Sequence, residues 1–265
     1  MRKSNHFLRA GLILTALMVG FILLGYVWTP YVPTLMDDTV LQQGPSLLHL
    51  MGTDKFGRDI LSRVMKGAGS TFFVAFGTVM IGTVVGTLVG ALTGYFGGWV
   101  DEVLMRFNDA LTALPTFLVA LVLISVLGSG RMHLMLALGI VFIPSYARLV
   151  RSEFARARDR NYVKSAQLMG ASTARILFVH ILPNIWTVLL SSITIGFNNA
   201  VLAEASLSYL GLGVSPDEAS LGYMLSDSQA YLDATPWYAL SAGLVIVLLI
   251  LGVGLIGEGL KQQGD

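Results

Sequence analysis

The chain has 265 residues, of which 54% are hydrophobic and only 12% charged, with a net charge of +1 and a mean hydropathy of +0.71. A soluble domain carries about twice that share of charge, so the deficit assigns most of the chain to lipid. The near-zero net charge excludes a global basic field for nucleic acid. With no cysteine, disulfide scaffolds, zinc–thiolate sites and cysteine nucleophiles are excluded together.

Six apolar segments approach the length a bilayer requires: residues 10–28, 72–96, 108–130, 132–147, 183–203 and 237–257. The first follows Met1-Arg2-Lys3, as a secretory signal would, but it ends in Tyr26-Val27-Trp28-Thr29-Pro30 with no small-x-small cleavage site. It reads as an uncleaved membrane helix. The third has Asp109 at its start, and the short fourth has Arg131 and Arg148 at its ends to snorkel to the interfaces.

With the N-terminus inside, the inner side holds Arg2, Lys3, Arg9, Arg106, Arg148, Arg151, Arg156, Arg158, Arg160, Lys164, Arg175 and Lys261, and the outer side Lys55, Arg58, Arg63, Lys66 and Arg131. That asymmetry obeys the positive-inside rule and places both termini in the cytoplasm. Residues 29–71 fit less comfortably, because four of the outer cations crowd into their second half. Phe56, Ile60, Leu61 and Val64 fall at helical spacing there, which predicts an amphipathic segment along the outer interface. The outer stretch 204–236 has no Lys or Arg and carries Glu204, Asp217, Glu218, Asp227 and Asp233.

Between the fourth and fifth segments, residues 151–183 form a long basic loop. Residues 152–168 lack Gly and Pro and predict a helix. Gly170 suits a left-handed helix stop, Ser172 or Thr173 a cap, and residues 176–179 a second short helix. Pro183 suits the first turn of the next membrane helix. Leu168 and Met169 offer apolar area at the corner. From composition alone, such a loop serves either protein docking or contact with anionic headgroups.

The positions Lys164, Ser165, Ala166, Gly170, His180, Leu182 and Pro183 resemble the EAA loop of bacterial ABC importer permeases. Its pattern is Glu-Ala-Ala, three residues, Gly, nine residues, Ile-x-Leu-Pro; Lys164 and His180 depart from it. Gly52-Thr53-Asp54-Lys55-Phe56-Gly57-Arg58-Asp59 resembles the GTDxxGRD segment of the C-type permeases of the dipeptide, oligopeptide and nickel importers. Leu207-Ser208-Tyr209-Leu210-Gly211-Leu212-Gly213 is similar to their LSFLGLG segment.

The resemblance implies an all-α integral membrane protein of six helices with the type I permease fold, in the bacterial inner membrane. It implies an outer loop within residues 1–71, a five-helix core over 72–258 enclosing the loop 151–183, and a short tail, 259–265. Lys164, Ser165, Ala166, Leu168, Met169, Gly170, Ala171, Leu182 and Pro183 would couple to two ATPase subunits. Leu210, Gly211, Leu212, Gly213, Asp217 and Glu218 would meet an extracytoplasmic substrate-binding protein. A second, B-type permease would complete the path. ATP and magnesium would sit on partners, with no cofactor in this chain. Peptide is the expected cargo, with nickel or a metallophore complex as the alternative.

Catalytic patterns are missing from the sequence. No phosphate-binding G-x-x-x-x-G-K-[ST] occurs, no intramembrane serine-protease pattern is present, and the four histidines fall in different segments. Ser191, Thr194, Asn198 and Asn199 make the fifth segment the most polar, either as a wall of the translocation path or as hydrogen-bonding glue between helices. Gly77, Gly82, Gly86, Gly90 and Gly94 predict a smooth packing face. Pro115 and Pro144 predict kinks. Finding no charge deep in a segment argues against an ATPase-independent secondary transporter.

Overall fold

A computed structural model describes residues 6–214 and 218–264. Among these the chain is helical, with no β-strand. In order come α1 (His6–Val27), α2 (Ile60–Phe96), α3 (Gly98–Thr112), α4 (Thr116–Leu127), α5 (Arg131–Arg158), α6 (Asn161–Leu168), α7 (Thr173–Arg175), α8 (Trp186–Tyr209), α9 (Leu221–Ser228) and α10 (Pro236–Gly264). Segments starting at His6, Ile60, Arg131, Thr173 and Pro236 are each long and apolar enough to cross a membrane, and α3 with α4, bent by 87° to one another, reach that length and apolarity only as a pair.

The glycines of α2 form the seam of the bundle. A Cβ on Gly86 would stand 2.9 Å from the Ile143 carbonyl oxygen, on Gly90 2.5 Å from that of Ala147, and on Gly94 2.4 Å from that of Arg151. Only hydrogen atoms let the two backbones approach so closely, which is how small residues bind helices together in lipid. The order of these contacts shows α2 and α5 running parallel. Gly11 against Ile256 and Gly259 against Leu8 set α1 antiparallel to α10, so the start of α1 and the end of α10 lie at one end of the bundle. Most of the described basic residues gather at that end, which marks it as cytoplasmic.

Several expectations change. Residues 60–71 do not lie along the outer interface; they are the first turns of α2, which is 37 residues long and therefore about 55 Å. Ile60, Val64 and Ala68 are wholly buried, so the helical pattern reported burial against protein. The third apolar segment is broken at Ala113–Pro115, and α3 lies at the cytoplasmic end, held by Arg151 on Asp101 at 2.5 Å and Arg148 on Asp109 at 3.1 Å. The helix expected over 152–168 is two helices, because α5 continues to Arg158 and the chain turns at Asp159–Arg160. Glu204 does not lie in an outer loop. It sits within α8 and is wholly buried.

Pro183 does not begin the fifth membrane helix, since helical backbone runs unbroken from Thr173 to Tyr209. Residues Ile176–Ile181 widen into a π turn and Leu182–Ile185 tighten into a 3-10 turn. The proline supplies the reason: without its N–H the α ladder cannot continue, and the Leu182 N–H bonds the Leu177 carbonyl instead. The Asn184 side chain donates to the His180 carbonyl at 2.6 Å.

Candidate functional site

Three regions carry the polar and exposed features, beginning at the cytoplasmic tip. Val163 and Ala166 are buried in the same apolar cluster as Phe154, Ile176 and Leu177, and so fasten α6 to the base of α8. Lys164 and Ser165 point to solvent. At the end of α6 the N–H groups of Met169, Gly170 and Ala171 bond the carbonyls of Ser165, Gln167 and Ala166 at 3.0 Å. Gly170 has φ +79° and open space around it, so glycine is required there for its backbone angle rather than for room. The Ser172 hydroxyl accepts the Arg175 N–H. This closed turn leaves Leu168 90% and Met169 80% exposed, an apolar point on a polar arm. Ala171 and Leu182 are partly buried behind it, and Pro183 faces out.

In the membrane, α8 presents two different faces. Thr194 and Asn198 pack on α10, where a Cβ at Gly257 would stand 2.2 Å from the Thr194 hydroxyl and one at Gly254 3.1 Å from the Asn198 amide nitrogen. Ser191 and Thr194 return their hydroxyls to carbonyls of their own helix, Thr187 and Ser191. Asn199 faces the other way. With Ser192, Ile195 and Gly196 it lines a cavity of about 370 Å³, completed by Thr112, Thr116, Ser145 and Tyr146. The four polar residues predicted for the path are thus split between two faces. A helical wheel separates 191, 194 and 198 from 192, 195 and 199, and it would have drawn attention to Ser192. Tyr146 had no sequence signal. It is buried between Gly82, Gly86 and Gly196.

At the outer end, Gly52–Asp59 folds into a buried polar knot. The Asp54 carboxylate accepts the N–H groups of Phe56 and Arg58 at 2.9 and 3.0 Å and the Arg58 Nε at 2.7 Å. Thr53 donates its hydroxyl to the Val40 carbonyl and accepts the Gln43 N–H. Asp59 caps α2 through the Ser62 N–H at 2.8 Å and meets His49 at 3.0 Å. Asp227 on α9 bonds Lys55 at 2.7 Å and lies 3.8 Å from Arg58. That hydrogen bond holds the Lys55 ammonium above the ordinary lysine range. Gly57 has φ +70°, and a Cβ there would stand 1.8 Å from the Asp37 carbonyl oxygen.

After α8, Leu210 and Leu212 are 57% and 41% exposed, with Gly211 between them at φ +75°. Gly213 is buried against Ser208, and its carbonyl accepts the Gly130 N–H at 3.2 Å. Ser208 in turn donates to Glu204 at 2.8 Å. Glu218 stands 3.8 Å from Arg131; Asp217 lies outside the described residues.

Residues 86–262 match the family model described as the binding-protein-dependent transport system inner membrane component. The chain belongs to this family. It is 35% identical over 269 residues to the dipeptide transport system permease protein DppC of Haemophilus influenzae, covering 99% of this chain and 91% of that one. To the glutathione transport system permease protein GsiD of Escherichia coli it is 37% identical over 265 residues, with 100% and 87% covered. Its fold is that of the inward-facing MetNI methionine ABC transporter, with a TM-score of 0.63 at 16% identity over 77% of this chain and 96% of that chain. The permease is therefore a multi-pass inner-membrane subunit that works with ATPase and substrate-binding partners. The similarity spans the whole chain, including the GTDxxGRD-like segment that lies outside the family model.

Proposed function

We propose that this permease forms half of the translocation path of an ATP-driven importer for short peptides, beside a B-type permease. Two ATPase subunits would bind its cytoplasmic tip and one substrate-binding protein its outer loops. The observation that carries this reading is mechanical: the exposed Leu168–Met169 tip is tied by the tight Gly170 turn to the helix that runs unbroken from Thr173 into α8, whose Ser192–Asn199 face lines the cavity. A push on the tip moves that wall. Residues 163 and 166 fasten α6 to the same rod, so the arm and α8 move together.

The cavity is lined by hydroxyls, an amide and apolar groups. Such a lining hydrogen-bonds peptide backbone without gripping it, as a path requires. A hard or borderline divalent metal favours imidazole and carboxylate ligands, so this wall suits peptide better than bare nickel. The relatives named for dipeptide and glutathione transport support the same cargo. Leu210, Gly211 and Leu212 would form an exposed outer lip for the binding protein, and Glu218, paired with Arg131, a further contact. In this reading the chain performs no covalent chemistry, and ATP and magnesium act on the partner subunits. Reconstitution with the cognate binding protein tests the reading. Dipeptide and tripeptide pools should stimulate ATP hydrolysis; stimulation by Ni²⁺ or its chelates alone would overturn the peptide assignment.

A further inference from the structure

We propose that the outer side of this chain binds one anionic glycerophospholipid, its phosphate among Lys66, Arg131 and Arg63 and an acyl chain in the groove between α1 and α2. Topology leaves one charge pattern on the outer side unexplained. Five cations lie on the outer side, against the usual bias. Lys55 and Arg58 are held by Asp227 and Asp54, at 2.7 Å each. The other three line a single cavity of about 320 Å³ with Tyr26 and Ser70. Among the described residues its one acidic lining residue, Glu218, meets Arg131 at 3.8 Å with both side chains about half exposed, a weak pairing. Arg63 reaches Asp54 only at 3.7 Å, and positive charge therefore prevails.

Two buried groups in the cavity wall point to an acceptor. Ser70 is 5% and Arg63 1% exposed, yet the Ser70 hydroxyl and the Arg63 Nε and Nη2 have no hydrogen-bond partner. Buried donors are rarely left so in a folded protein. A phosphodiester offers the acceptor oxygens and the charge that this set of donors requires.

The second observation lies below. Tyr26 also borders an apolar groove of about 220 Å³ whose other walls include Ile22, Leu23, Phe72, Phe73 and Phe76. Its ring is fixed by a hydroxyl bond to the Gly69 carbonyl at 3.3 Å, with the Lys66 ammonium 5.7 Å above it. The Arg131 guanidinium stands 5.6 Å over Phe73. From Ser70 to Phe76 the groove descends along α2 by about 9 Å, from the headgroup level into the hydrocarbon. A free phosphate ion has no use for such a groove, and a water-soluble protein does not reach into it. An anionic lipid uses both parts.

Native mass spectrometry of the purified transporter complex tests this with phosphatidylglycerol and phosphatidylcholine of identical chains, and with inorganic phosphate as competitor. The wild type should retain phosphatidylglycerol over phosphatidylcholine by on the order of tenfold. K66Q/R131Q should erase that preference while leaving phosphatidylcholine retention unchanged. Val19→Trp, which fills the groove, should reduce retention of both lipids. Equal retention of the two lipids by the wild type overturns the proposal, as does an undiminished preference in K66Q/R131Q. Displacement by inorganic phosphate with no effect of Val19→Trp would make this a simple anion site and also overturn it.

Discussion

Gly57 at the outer end and Gly170 at the inner end share a left-handed backbone, at φ +70° and +79°. Their surroundings are opposite. Around Gly57 there is no space, and around Gly170 there is nothing within 4 Å. The outer glycine belongs to a knot packed against its own chain, in which Asp54 gathers backbone and guanidinium donors. The inner glycine belongs to a turn that presents apolar side chains to something else. One glycine is enclosed by its own chain; the other stands in open space.

Substitutions at the two ends should therefore fail in different ways. Gly57→Ala drives a methyl group into the Asp37 backbone and should cost more than about 4 kcal/mol, read as loss of the folded permease from membranes. Asp54→Ala leaves Arg58 and Arg63 buried without their carboxylate and should cost about 3 kcal/mol or more, seen as a large drop in the melting temperature of the purified complex. At the inner end, Leu168→Asp with Met169→Asp should leave the melting temperature of the isolated permease unchanged and weaken ATPase-subunit binding by on the order of a hundredfold. Retained binding would refute the docking role. Gly170→Ala meets no atom and carries only the backbone penalty, about 1 kcal/mol, so melting should shift by a few degrees at most. The smallest effect is expected from Asn199→Ala, a severalfold loss of peptide-stimulated transport with assembly intact. Thr194→Ala, on the α10 face, should spare transport and affect only stability, and a reversed result would exchange the two faces of α8.

Much of this was legible in order and spacing. Long uncharged apolar runs placed the crossings, and the glycines of α2 announced a helix seam, because close backbone approach in lipid demands small residues wherever it occurs. The Gly170 turn and the exposed Leu168–Met169 pair were readable for the same local reason. Less legible were features with two possible sources. The pattern at Ile60, Leu61 and Val64 fits both an interfacial helix and a helix buried against protein. Glu204 read as a loop residue, since a carboxylate in a span is costly, until the fold supplied Ser208 as its partner.

Sequence alone determined the class of protein, its orientation and the positions of its punctuation, because hydropathy, charge bias and backbone preference are local properties. Only the tertiary structure decided which face of α8 lines the cavity and which packs on α10. It alone gathered Arg63, Lys66 and Arg131 at one cavity and joined the tip to α8 through Pro183. These depend on how distant helices meet, and one helix carries too little information to name its neighbour.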